Sequence, residues 1–91
     1  MANFDFPADL LDLQRSWYAA DARCVEIGAA QPPAVDVVAG ITEVSEAEYQ
    51  ALKQARGERW ELTEQLQGHA WWATVDDKLA AKAALRATAR E

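Results

Sequence analysis

A chain of 91 residues fits a single domain, and one so short buries only about 60–65% of its unfolded surface, so its own core is modest and a partner would enlarge it. A net charge of −6 repels phosphate backbones and anionic lipid surfaces, which argues against nucleic-acid and membrane partners. The single cysteine rules out an internal disulfide and a multi-cysteine metal site, and no stretch approaches the ~18 apolar residues of a membrane span.

The hydrophobic content of 51% is inflated by 20 alanines, so the larger apolar residues must supply the core. Charge is unevenly spread: residues 1–30 carry −3, residues 31–75 carry −4 and residues 76–91 carry +1. The bases of that last stretch alternate with alanine and share it with Asp76 and Asp77, too weak a cluster to reverse the acidic body. The first residues, Met1 to Pro7, lack the basic and apolar regions of a signal peptide, so a cytoplasmic location is expected.

The strongest pattern comes first along the chain. Phe6, Leu10, Leu13, Trp17, Ala20, Cys24 and Ile27 are spaced 4, 3, 4, 3, 4, 3, which predicts a helix over about residues 7–27 packed lengthwise on another helix. Asp5 is the expected cap, Pro7 suits the first turn, and Asp9 and Asp12 suit the positive end of the dipole. Gly28 is the expected stop, with Pro32 and Pro33 behind it. Leu11, Tyr18 and Val25 each follow a stripe residue by one position and widen the apolar arc to about 160°. One helical neighbour covers less than that, so this helix needs two: the second helix, and either the third or another chain.

Residues 28–44 read as an irregular connection. Val35, Val37, Val38, Ile41 and Val44 make it apolar enough to lie as extended chain over the end of the helical hairpin, and a tiny β-hairpin about Ala39-Gly40 is the alternative, on a weak Ala-Gly turn signal. Ser45-Glu46-Ala47-Glu48 is a capping box, flanked by Val44 and Tyr49 at the hydrophobic-staple positions. It opens a helix over about 46–67, weakened by about 1 kcal/mol at Gly57 and stopped by Gly68 in a left-handed conformation. A Trp-rich connector, 68–74, follows. Thr74-Val75-Asp76-Asp77 then reads as a weaker cap for a third helix over about 75–89, with Lys82, Arg86 and Arg90 toward its C-terminal end.

The first two helices are each about 30 Å long, and matched lengths predict an antiparallel pair. That pairing places Trp17 near Trp60, Phe6 and Leu10 near Leu66, and Trp71 and Trp72 over the same end as Phe4 and Phe6. The expected fold is all-α: a long antiparallel helical hairpin plus a short C-terminal third helix, packed back on it or projecting.

Chemistry-bearing residues are sparse. Arg56 and Arg59 fall within the stripe of Tyr49, Leu52, Thr63 and Leu66, where long cations snorkel along a core edge, pair with acids such as Asp21 or Asp12, or stack on Trp60. The functional reading of the pair is anion or partner binding. His69 stands alone, with no partner base, nucleophile or further metal ligand at a workable spacing. Cys24 lies on the stripe and reads as a buried small hydrophobe. The adjacent Trp71 and Trp72 project in different directions, so one can serve as an exposed hot spot. A helix-turn-helix about Gly40-Ile41-Thr42 fails, because Asp36 stands where a small apolar residue belongs and Glu43, Glu46 and Glu48 would face the DNA.

Neither an enzyme nor a cofactor is expected. The expectation is a small, acidic, non-enzymatic protein–protein interaction module (adaptor, accessory subunit or regulator) that docks on another protein or on itself. Its contacts would be Leu11, Tyr18, Val25, Trp71 and Trp72, with Arg56 and Arg59 for specificity. The alternatives are a small-ligand-binding or catalytic helical protein using an Arg56/Arg59/His69 groove, and a purely structural self-assembling bundle.

Overall fold

A computed structural model describes residues 4–40, 43 and 45–90. Among them the chain is all-α: α1 (Ala8–Ala30), α2 (Ala34–Val38), α3 (Glu46–Gln67), a 3-10 turn (Ala70–Thr74) and α4 (Lys78–Ala89). α1 and α3 form the antiparallel hairpin, and three cross-links fix their register. Trp17 Nε1 donates to Thr63 Oγ1 at 2.9 Å, Arg59 pairs with Asp21 at 2.7 Å, and Arg23 pairs with Glu58 at 2.6 Å. The stripe of α1 faces inward as its spacing requires: Leu10, Ala20 and Cys24 are buried, and Leu13, Trp17 and Ile27 are half-buried. α4 folds back on α1 and stands off α3.

The boundaries differ from expectation where proline and side-chain caps overrule simpler signals. Pro7, not Asp5, is the N-cap of α1, and its carbonyl accepts from the amides of Leu10 and Leu11 at 3.1 Å. At the other end α1 runs through Gly28 to Ala30. The stop is set by Pro32, which holds Gln31 extended (φ −77, ψ 150). α4 begins at Lys78 rather than at 75, because Val75 is buried in the core as extended chain and Asp77, not Thr74, caps the helix by accepting from the Ala80 amide at 3.0 Å.

Residues 34–38, expected as extended chain, form a single helical turn instead. Pro33 has backbone angles suited to a helix entrance, and Gly40 ends the turn at φ +75, a left-handed angle that costs glycine little. The chain does turn at Ala39-Gly40, where the Gly40 amide donates to the Val37 carbonyl at 3.2 Å, and the far side of the small β-hairpin expected there falls on residues 41, 42 and 44, outside the described residues. Val35 and Val38 point outward rather than over the hairpin, 72% and 88% exposed. Ser45 caps α3 as the capping box predicts, accepting from the Glu48 amide at 3.0 Å; Val44 of the staple, like Ile41, lies outside the described residues. Gly68 has φ −86, so no left-handed stop forms. A Cβ there would sit 3.2 Å from the Glu64 carbonyl oxygen, a tight contact that glycine avoids.

The core is concentrated at one end. Leu10, Trp72, Val75, Ala81 and Leu85 are buried together, with Phe4, Phe6, Leu11, Leu66 and Trp71 packed around them. The aromatic cap expected there is present: the Trp71 ring lies 5.1 Å from Phe6 and 6.3 Å from Phe4. Beyond that end the hairpin runs on with only small or few buried residues, Ala20, Cys24, Leu52 and Ala55. The molecule is accordingly long, 54 × 22 × 20 Å, with a radius of gyration of 17.5 Å against about 12 Å for a compact chain of this length.

Candidate functional site

Because α4 leans on α1 and leaves α3, a groove of about 650 Å³ opens between the three helices. Its floor is aromatic and aliphatic: Trp17 and Tyr18 from α1, Leu66 from α3, then Trp72 and Leu85. Both indoles on that floor are anchored. Trp17 donates to Thr63, and Trp72 Nε1 donates to the Leu66 carbonyl at 2.6 Å. One wall is a ridge of cations from α4 and its C-cap, Lys78, Lys82, Arg86 and Arg90.

The ridge follows from spacing. The four bases recur every fourth residue, so they share one side of α4, while Ala81, Leu85 and Ala89, each one position before a base, turn into the core. Steps of four residues put neighbouring bases about 6 Å apart, a row about 18 Å long. Arg90 lies over the Tyr18 ring at 4.9 Å and Lys82 is 6.0 Å from the Trp72 centroid, so two of the cations sit above the aromatic floor. No residue lining the groove is acidic, and among the described residues none of the four bases is in an ion pair. In a chain of net charge −6 this is a concentrated positive field over an apolar bed. The sequence reading averaged these bases against Asp76 and Asp77; their i, i+4 spacing was the signal that would have found the ridge.

The residues singled out from sequence distribute as follows. Tyr18 lines the groove, its hydroxyl 3.4 Å from the Arg86 carbonyl. Leu11 is half-buried against the core. α4 therefore supplies the second neighbour that α1 needed over Leu11 and Tyr18, but it ends level with Tyr18, and Val25 stays 63% exposed. Trp72 is buried and Trp71 is half-buried against Phe4 and Phe6, so both act first as core and end cap. Arg59 is held by Asp21 and Arg56 is exposed on α3. Trp60 is 62% exposed and does not meet Trp17, which turns to Thr63 instead.

Arg56, Arg59 and His69 do not converge on one groove. His69 lies about 20 Å along the chain axis from Arg56 and is engaged at the opposite end. Its Nε2 is 2.8 Å from Asp9 Oδ2, and its Nδ1 accepts from the Trp71 amide at 3.1 Å, capping the 3-10 turn. That arrangement calls for the proton on Nε2, which donates to the carboxylate. The hydrogen bond holds the Asp9 carboxyl below its ordinary range. Among the described residues no three His, Cys, Asp or Glu side chains gather as a metal site, Cys24 is buried, and no helix is long and apolar enough to cross a membrane.

No curated protein and no solved structure matches the chain. Residues 9–88 match the model of a family described as a domain of unknown function (DUF8825), a span that takes in the four helices except Ala8 and Ala89 and every residue of the groove but Arg90, and the chain belongs to that family.

Proposed function

We propose that the protein is a non-enzymatic interaction module that captures an acidic, amphipathic helix of a partner protein in the groove between α1, α3 and α4. The observation that carries this reading is the row of four cations, none of them in an ion pair among the described residues, along one wall of a groove with an aromatic and aliphatic floor and no acidic lining residue. A partner helix with acids at every fourth position repeats the ~6 Å step of the ridge, while its apolar face lies on the half-buried Trp17, Tyr18 and Leu66. A single small anion would engage one or two of the bases and leave the length of the row without a role. Exposed charge pairs contribute little each, about 0.2–1 kcal/mol, so apolar burial supplies most of the affinity and the cations supply orientation and choice of partner.

The test uses two synthetic amphipathic helical peptides that share an apolar face, one with Glu and one with Lys at every fourth polar position, titrated calorimetrically into the full chain. The acidic peptide binds, more weakly as salt rises, and the basic peptide does not. Lys82→Glu with Arg86→Glu, both at exposed positions, abolishes binding without loss of helix content. Equal affinity for the two peptides, or binding to neither, contradicts the reading.

A further inference from the structure

The face of the hairpin that receives α4 is bare over its other half. Trp60 precedes Gln67 by seven residues on α3 and Val25 follows Tyr18 by seven on α1; both Gln67 and Tyr18 line the groove, and seven residues are two turns with only ~20° of drift. Tyr49 lies eleven residues before Trp60, three turns further along the same line. Val25, Tyr49 and Trp60 are 63%, 55% and 62% exposed, so three exposed apolar side chains share this one face. The reason is length. α3 has 22 residues and is about 33 Å long, whereas α4 has 12 and spans only about 18 Å of the hairpin, against α1.

We propose that a second copy of this chain covers the bare half, two copies packing antiparallel so that their α1–α3 pairs form a four-helix bundle. Three observations favour a copy of the chain over an occasional partner. First, the bare half is a two-helix layer whose buried residues are only Ala20, Cys24, Leu52 and Ala55, a core too thin to stand alone, so its cover must be present whenever the protein is folded. Secondly, the surface of 6517 Å² exceeds the about 5,200 Å² of a typical folded monomer of this size by about 1,300 Å², more than the ~800 Å² that each partner of a standard interface buries. Thirdly, the face is self-matching in shape. α4 fills the other half of the same trough, so a parallel pair would set the two α4 helices against each other, and only the antiparallel pairing fits bare half to bare half.

The register of the hairpin then places the symmetry axis. Asp21 is level with Arg59 and Arg23 with Glu58, so Val25 is level with Arg56, midway along the bare half. The axis brings Val25 against its own copy and sets Trp60 of one chain toward Lys53 of the other, a cation–π pairing. A small cleft of about 170 Å³ among Tyr49, Leu52, Lys53 and Arg56 opens on this surface to receive a side chain. Arg56 is the one cation that approaches its own copy, so its charge opposes the dimer.

Sedimentation equilibrium over a wide concentration range tests the proposal. The expected result is a dimer whose dissociation constant rises at least tenfold in Val25→Glu and in Trp60→Glu, with helix content unchanged, and falls in Arg56→Gln. Leu79→Glu, as exposed but on the outside of α4, and the pair Lys82→Glu with Arg86→Glu leave the dimer intact, which separates this surface from the peptide-binding groove. A monomer at every concentration, a dimer indifferent to both Val25→Glu and Trp60→Glu, or weakening by Arg56→Gln overturns it.

Discussion

Leu85→Ala is the sharpest probe of how α4 is held in place. Leu85 is 2% exposed and buried among Leu10, Trp72, Val75 and Ala81, which come from α1, the connector and α4 itself. The substitution removes three carbon atoms, about 2.4 kcal/mol of transfer free energy at ~0.8 kcal/mol each, and leaves a cavity walled by Trp72 and Leu10. The anchored Trp72 indole keeps that wall from collapsing, which places the total near 3 kcal/mol, within the ~2–5 kcal/mol range of such truncations. With a urea slope of about 1 kcal/mol/M for a small domain, the unfolding midpoint drops by about 3 M. Leu79→Ala, on the same helix but 81% exposed, changes stability by less than about 0.5 kcal/mol. The assay is urea unfolding followed by circular dichroism. A midpoint shift for Leu85→Ala no larger than for Leu79→Ala would refute the packing of α4 on α1, and with it the groove.

Two further predictions concern the helix ends. Ser45→Ala removes the acceptor of the Glu48 amide at the start of α3 and lowers stability by about 1 kcal/mol, measured by the same urea transition; a neutral result would mean that the capping box contributes nothing. Asp9 is exposed and its carboxyl is held below the ordinary value of 3.8 by the His69 hydrogen bond, so its contribution to stability is present above that pH and is lost as the pH falls through the lower folded value. The melting temperatures of the wild type and of Asp9→Asn therefore differ near neutral pH and converge in acid. A gap that persists unchanged into acid contradicts the Asp9–His69 link.

The parts of the fold that could be read from the sequence are those decided by local spacing. The 4, 3 stripe of α1, the capping box of α3 and the matched helix lengths each express a single dominant periodicity, and the hairpin with its Phe4, Phe6 and Trp71 cap follows from them. The misread ends are those where two local signals competed. Gly28 lies within α1 because Pro32 stops the helix later, and Thr74 yielded to Asp77 because Val75 is drawn into the core. The groove depends on tertiary packing. No local pattern states that α4 leans on α1 rather than α3, and that tilt turns Lys78, Lys82, Arg86 and Arg90 from a solvated stripe into the wall of a cleft. Arg59 shows the reverse case: its pairing with Asp21 was legible as the structural option once the two helices were set antiparallel.

The central claim is that the groove under α4 is the docking surface, and its own tryptophans report on it. The indole N–H groups of Trp17 and Trp72 are hydrogen-bonded on the groove floor, whereas Trp60 lies on the bare half of the hairpin. In a nitrogen–proton correlation spectrum of the full chain, added acidic amphipathic peptide should shift the Trp17 and Trp72 indole resonances together and leave that of Trp60 in place. Movement of Trp60 alone, or of no indole at all, would contradict the account.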